Sequence, residues 1–162
     1  CEKCGTLLVE RFLENEGMIP YCEHCGQYRF PMFNTAVSMV VYSPDHSKIL
    51  LIQQYGKARN ILVAGYVNKG ESAEEAVVRE VKEETGLTVL DYRFNKSEYF
   101  AKSNTLMVNF ACTVDSENFT LRKGEVDRAG WFSVEEARAQ IYHDSLAEKF
   151  LLSAIEKRLY QA

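Results

Sequence analysis

The sequence predicts an α+β fold, a mixed sheet with helices packed on it, behind a small cysteine-bearing unit. Strand-like and helix-like hydrophobic periods alternate from residue 34 onward, the pattern of a sheet with helical layers. The first 33 residues lack helix signals and hold four of the five cysteines. The whole chain, 162 residues and 46% hydrophobic, has apolar material for one ordinary core and an appendage stabilised by other means. Two domains are therefore expected, residues 1–33 and 34–162.

In the first, Cys1/Cys4 and Cys22/Cys25 are two Cys-x-x-Cys pairs separated by seventeen residues, the spacing of a zinc site rather than of disulfides. Each pair curls back so that both thiolates meet one ion, and Gly5 and Gly26 stand where the turn tightens. Residues 6–12 and 18–21 flank a Glu-Asn-Glu-Gly turn and predict a hairpin between the pairs. A four-thiolate shell leaves no open position, so the Zn²⁺ of this ribbon is expected to be structural, supplying folding energy that about 30 residues lack. The alternative is a ribbon that binds nucleic acid. Its balance, Lys3, Arg11 and Arg29 against Glu2, Glu10, Glu14, Glu16 and Glu23, opposes phosphate neutralisation. His24 reads as solvent-facing, and Cys112, inside an apolar run, as an inert core residue.

In the second, residues 36–42 and 49–55 read as strands joined by Ser-Pro-Asp-His, with His46 a turn residue. Residues 72–85 read as a helix opened by a Ser72/Glu75 capping box and ended by Gly86. Strand-like stretches follow at 89–100, 106–114 and 129–132, where Trp131 and Phe132 read as core. A second box, Ser133/Glu136, opens another helix, and 146–159 predicts a last amphipathic one.

The helix over 72–85 carries the chemistry. At about 100° per residue, Ala73, Ala76 and Val77 share one face, and Glu80 and Glu84 project within the same arc. Glu74, Glu75 and Lys82 point elsewhere. Carboxylates one turn apart on a core-facing stripe are costly unless paired or coordinated. A hard divalent cation removes both the desolvation and the repulsion. Glu83 lies at the edge of the arc, and Arg79 is placed to orient a carboxylate through a bidentate contact. An oxygen-only cluster suits Mg²⁺ or Mn²⁺, and magnesium is commonly shared between a few carboxylates and substrate phosphates. A phosphate-bearing substrate is therefore expected, with Gly65 and Gly70 letting the backbone approach metal or phosphate. The alternative is an exposed, highly charged helix.

Residues 65–87 read Gly65, five residues, Glu71, seven residues, Arg79-Glu80, Val81, Lys82, Glu83-Glu84, Thr85, Gly86, Leu87. This resembles a complete Nudix box, and the region 34–162 is identified as a member of the Nudix hydrolase superfamily. The resemblance implies an α/β/α sandwich in which Glu80, Glu83 and Glu84 bind catalytic metal and Glu71 and Arg79 support the loop-helix geometry, with Gly65 in the metal set. Ribbon followed by Nudix domain resembles the NADH pyrophosphatase branch. That branch carries Ser-Gln-Pro-Trp-Pro-Phe-Pro-x-Ser-Leu-Met after the box, where this chain has Ser97-Glu-Tyr-Phe-Ala-Lys-Ser-Asn-Thr-Leu-Met107. Ser97, Leu106 and Met107 agree; the prolines and the tryptophan do not occur. Glu125, six residues before Trp131, matches a further metal-binding glutamate of the branch; the alternative is a turn residue. Gln54, Tyr55, Lys57 and Arg59 are candidate substrate contacts, the alternative being a solvated loop.

The expected activity is Mg²⁺- or Mn²⁺-dependent hydrolysis of the pyrophosphate linkage in a nucleoside diphosphate derivative, of dinucleotide, ADP-ribose or nucleotide-sugar type. The alternatives are a house-cleaning nucleoside triphosphate pyrophosphohydrolase and a nucleotide-sensing domain without catalysis. A net charge of −4 gives no general attraction for polyanions, so nucleic acid is expected only as a capped RNA end. The absence of a long apolar run and the opening Cys-Glu-Lys-Cys lead to the expectation of a soluble, cytoplasmic protein without a membrane partner. A homodimer is left open.

Overall fold

Residues 1–160 are described by the computed structural model, in which the chain separates after Phe33 into two units. In the first, β1 (Val9–Leu13) and β2 (Gly17–Cys22) form the hairpin, and β3 (Gln27–Tyr28) adds to β2 to complete a three-stranded antiparallel sheet. Each cysteine pair closes a tight turn, with Gly5 N–H donating to the Cys1 carbonyl at 2.8 Å and Gly26 N–H to that of Cys22 at 2.9 Å. Both glycines sit in the left-handed region, φ 75° and 65°, which other residues enter only with strain.

The second unit runs β4 (Asn34–Tyr42), β5 (Lys48–Gln54), β6 (Val63–Tyr66), α1 (Ala73–Thr85), β7 (Val89–Phe100), β8 (Thr105–Val114), β9 (Val126–Ser133), α2 (Val134–Gln140) and α3 (Leu146–Glu156). The sheet order is β7-β8-β4-β5-β9, with β6 also on β4. It is mixed, because β4 and β8 pair in parallel along all of β4 while the other pairings are antiparallel. The other edge of β4 is divided: residues 36–39 pair with β6 and Tyr42 pairs with β5. That division leaves β6 beside the acidic face of α1.

Residues 37–42 are buried without interruption, as expected of a strand covered on both faces. Val37, Met39 and Val41 face α1, packing with Leu50, Ile52, Val63 and Phe110 under Ala76, Val77 and Val81. Val40 and Tyr42 face the other way, with Ile49 and Leu51 against Ala137 of α2 and Phe150, Leu151 and Ala154 of α3. The period of two along β4 thus divides one strand between two cores, producing an α/β/α sandwich.

Both capping boxes form. Ser72 Oγ accepts from Glu75 N–H at 3.1 Å while Ser72 N–H donates to Glu75 Oε2 at 2.8 Å, and Ser133 with Glu136 repeats the arrangement. Helix α3 ends at Glu156, earlier than its apolar period suggests. Beyond it Arg158 and Tyr160 take left-handed conformations, and Tyr160 turns back to pack on Tyr42 and donate to Asp91 at 2.6 Å. Strands β3 and β6 are absent from the sequence reading, being two and four residues long and too short to show a period. Among the described residues no helix is long and apolar enough to cross a membrane.

A register shift between Phe94 and Lys96 leaves Asn95 as the extra residue of a bulge in β7, its side chain buried. Its amide donates to Asn109 Oδ1 at 2.8 Å and to the Phe150 carbonyl at 2.9 Å, and its oxygen accepts from Ser153 at 3.0 Å. Asn109 in turn donates to the Ser38 carbonyl at 2.9 Å. This network ties α3 to three strands. Asn95→Ala should orphan buried groups and lower the unfolding free energy by about 1–3 kcal/mol, read as an earlier midpoint in urea denaturation. An unchanged midpoint would show that the network adds nothing.

Candidate active site

The inward stripe of α1 is Ala76, Val77, Glu80, Val81, Glu84 and Thr85, all buried. Two carboxylates therefore share a surface with apolar neighbours, and the surrounding elements are shaped by them. A Cβ added to Gly65 of β6 would lie 2.0 Å from Glu80 Cδ, so the carboxylate rests directly on the strand backbone and only glycine admits it.

Arg79 holds this region together. Its Nε and Nη2 donate to the two oxygens of Glu71 at 2.6 and 2.8 Å, a bidentate pair. Nη1 donates to Glu80 Oε1 at 2.6 Å and Nη2 also reaches the Tyr66 carbonyl at 3.0 Å. One guanidinium thus joins the loop before α1, the end of β6 and the orientation of Glu80. Glu71 is held down to about 2, by Arg79 first and then by the Asn68 amide.

Glu84 is the most enclosed acid. Only 2% exposed, it accepts from Gln54 Nε2 at 3.0 Å through Oε1, while Oε2 has no hydrogen-bond partner among the described residues. Burial, and then the field of Glu80, push its carboxyl up to about 8. The loop after β8 closes over the end of α1, with Thr120 N–H on the Thr85 carbonyl at 2.8 Å and Arg122 N–H on that of Glu84 at 3.1 Å. These bonds satisfy carbonyls that a helix C-terminus leaves free, and they carry Glu125 to the acidic face.

Glu80, Glu84 and Glu125, with Gln54, Tyr55 and Gly65, line a cavity of about 510 Å³. Tyr55 is exposed and left-handed at φ 55°, beside Gly56 N–H, which donates to Asp127 at 2.7 Å. Its hydroxyl is raised by partial desolvation against the cavity wall and by the fields of Glu125, Glu84 and Glu80. Glu83 lies outside the cavity lining and faces Arg79 at 3.5 Å and Arg122 at 3.2 Å. Lys57 is exposed and does not line the cavity. Arg59 stacks over Tyr142, 4.9 Å from its centroid, and lines a neighbouring cavity of about 460 Å³. The two cavities share Ala64, Phe100, Met107 and Leu146. No local period in the sequence marks that apolar wall as part of a site, and the only sequence signal for Arg122 is its place three residues before Glu125.

A divalent cation fits the donors present. The unpartnered Glu84 oxygen, Glu80 seated against a glycine backbone and Glu125 on the same cavity wall are oxygen donors of the kind a hard ion takes, although their carboxylates are not drawn within 4.8 Å of one another as the sulfurs of the first unit are. In the first unit, Cys1, Cys4, Cys22 and Cys25 bring their Sγ atoms within 4.8 Å of one another, the one such group of three or more among the described residues. Cys4 to Cys22 is 3.5 Å and Cys1 to Cys25 is 4.0 Å. A tetrahedral shell with Zn–S bonds of about 2.3 Å requires S···S separations of about 3.8 Å, which these bracket. Contacts with Thr6 pull the Cys4 thiol down to about 6, while hydrogen bonding to Cys4 raises that of Cys25, so the sulfurs divide their protons unequally. Cys112 is buried in the sheet, where desolvation raises its thiol.

Glu84 couples the site to stability. Between its ordinary 4.5 and about 8, the folded chain keeps a proton that the unfolded chain has released. In chelator, that group's contribution falls as pH rises through this window and is constant above it. Glu84→Gln removes this loss, so the variant should melt higher than the parent above pH 8 while the two converge below pH 4.5. Parallel melting curves across the range would contradict the assignment.

Residues 32–152 match the model of the NUDIX domain family. The NAD-capped RNA hydrolase NudC of Mycobacterium tuberculosis is 37% identical over 118 residues, covering 72% of this chain and 38% of that protein. That of Haemophilus influenzae is 29% identical over 161 residues, covering 96% and 60%. The chain thus spans less than two thirds of these relatives. Among solved structures, a NUDIX hydrolase from Nitrosomonas europaea superposes with a TM-score of 0.71 at 17% identity, over 99% of this chain and 91% of that one. The NUDIX domain of Shewanella oneidensis NrtR, complexed with ADP ribose, gives 0.66 at 17% identity over 85% and 93%. Both share the fold, and with the match over residues 32–152 the chain belongs to the NUDIX domain family.

Proposed function

We propose that residues 34–162 form a hydrolase that uses Mg²⁺ or Mn²⁺ to cleave the pyrophosphate linkage of a nucleoside diphosphate derivative, with dinucleotides, including a capped RNA end, as the first class to test. The observation that carries this reading is the buried oxygen of Glu84, unpartnered beside Glu80 at the cavity wall. The reading is supported by the relatives' description as NAD-capped RNA hydrolases. When bound, the ion supplies Lewis acidity toward phosphate and a water made nucleophilic at neutral pH.

The chain's own residues provide the rest. Glu80, Glu84 and Glu125 hold the ion, with Glu83 contributing from the rim and the Gly65 backbone giving Glu80 its place. Arg79 and Glu71 act as positioning residues, since their bidentate pair fixes the loop and the Glu80 carboxylate together. Tyr55 flanks the acidic group, and Arg59 stands across the apolar wall in the adjoining cavity. Two cavities with a common wall suit a two-part substrate better than a single mononucleotide. Lys57, exposed on the same loop, is the third candidate phosphate contact.

The test is product identification from NADH, NAD-capped RNA, ADP-ribose and nucleoside triphosphates in Mg²⁺ and Mn²⁺. Two monophosphate-bearing products from a dinucleotide are expected, and Glu84→Gln should reduce turnover more than about 100-fold in a folded protein. Pyrophosphate released only from triphosphates would replace this reading with a house-cleaning activity. Tight binding without turnover in either metal would make the domain a nucleotide sensor.

We also propose residues 1–33 as a ribbon stabilised by one structural Zn²⁺ on Cys1, Cys4, Cys22 and Cys25. Metal analysis should find one zinc per chain in addition to any Mg²⁺, as a closed four-thiolate shell requires. Stripping it should collapse the amide resonances of residues 1–33 while those of 34–160 persist. Dispersed ribbon resonances after complete zinc removal would exclude this role.

A further inference from the structure

Around the acidic face of α1, the carboxylates divide by partner. Glu80 is held by Arg79, which also stands 3.5 Å from Glu83 Oε2, and Glu84 by Gln54. Glu83 and Glu125 are both held by Arg122: Nη1 reaches Glu83 Oε2 at 3.2 Å and Nε reaches Glu125 Oε2 at 3.1 Å. One guanidinium thus bridges two carboxylates from separate elements, α1 and the loop before β9. The Arg122 backbone is anchored independently, its N–H on the Glu84 carbonyl at 3.1 Å. The side chain is half exposed and reaches the acids from the solvent side.

We propose that Arg122 is a built-in counter-cation that competes with the divalent ion for Glu83 and Glu125 and so sets the affinity of the site for metal. This rests on the metal-dependent reading above and deepens it. Each Oε2 that Arg122 engages gives a lone pair and part of its charge to the guanidinium, which weakens it as a donor to a hard cation. Arg122 also places a positive charge beside an ion of the same sign, which opposes loading. Until metal arrives, the guanidinium keeps Glu83 and Glu125 from repelling each other, so the rim is assembled in advance. Arg79 differs in that its Nε and Nη2 are fixed on Glu71 and the Tyr66 carbonyl, so while its Nη1 reaches Glu80 at 2.6 Å and Glu83 at 3.5 Å it also holds the loop before α1 in place.

The experiment is Mn²⁺ binding by calorimetry on the full chain without substrate, with folding checked by thermal melting. Arg122→Gln and Arg122→Ala should bind Mn²⁺ about three- to tenfold more tightly, the equivalent of one or two half-exposed ion pairs. Arg122→Lys, which keeps the charge, should stay within about twofold of the parent. Arg128→Gln, an equal charge change at an exposed position of β9, should leave affinity unchanged and separates a local effect from net charge. Unchanged or weaker binding in both Arg122→Gln and Arg122→Ala would overturn the proposal while leaving the metal reading intact, provided Glu84→Gln still abolishes binding. If the parent shows no binding sensitive to Glu84→Gln, both fall together.

Discussion

Two carboxylates, Glu80 and Glu84, lie on the sheet-facing stripe of α1, where charge is withdrawn from water and each acid feels the other. Much of the surrounding structure answers to that constraint. Gly65 has no side chain because Glu80 occupies its space, Arg79 divides its donors between Glu80 and the loop that precedes it, and Gln54 reaches from β5 to the enclosed oxygen of Glu84. Even so, the Oε2 of Glu84 has no hydrogen-bond partner among the described residues. A core arranged for stability alone would place an apolar residue there, since a buried acid without full compensation destabilises.

The stability that tolerates this arrangement comes from the two apolar layers on either side of the sheet. They meet along β4, whose alternate residues serve opposite cores, so the strand that pairs with β6 beside the acids is also the most buried in the fold. The division of its edge between β6 and β5 places the glycine of β6 beside α1. Rigidity and opening thus originate in the same element, and a polar site is carried on strands and a helix rather than on loops alone. The exception is Glu125, delivered by a loop that is itself pinned to the last carbonyls of α1.

The first unit solves a different problem. It has no apolar core of its own size, and Leu7, Phe12 and Met18 remain exposed, while four sulfur atoms converge at its centre. A domain of this length needs a constraint beyond burial, and the thiol cluster is positioned to provide it. Cys112 shows the contrast within the same chain: buried in the sheet, its thiol is raised by desolvation and behaves as a small hydrophobe.

What was legible in the sequence was whatever a local period or spacing encodes. The arc of Glu80 and Glu84, both capping boxes, the Cys-x-x-Cys spacing and the longer strands all arise within about a dozen residues of chain, where helix and strand geometry decide which side chains share a face. The tertiary structure decided the rest. Strand β6 is defined by its pairing with β4, the parallel β4–β8 ladder joins segments some seventy residues apart in the numbering, and α3 gives way to left-handed backbone from which Tyr160 reaches Asp91. Of the four candidate substrate contacts, Gln54 and Tyr55 line the acidic cavity, Arg59 belongs to its neighbour, Lys57 lines neither, and the Arg122 bridge depends on α1 and the loop before β9 coming together. Contacts of that kind depend on which distant segment the fold brings alongside, and a period of two or of 3.6 residues carries no record of it.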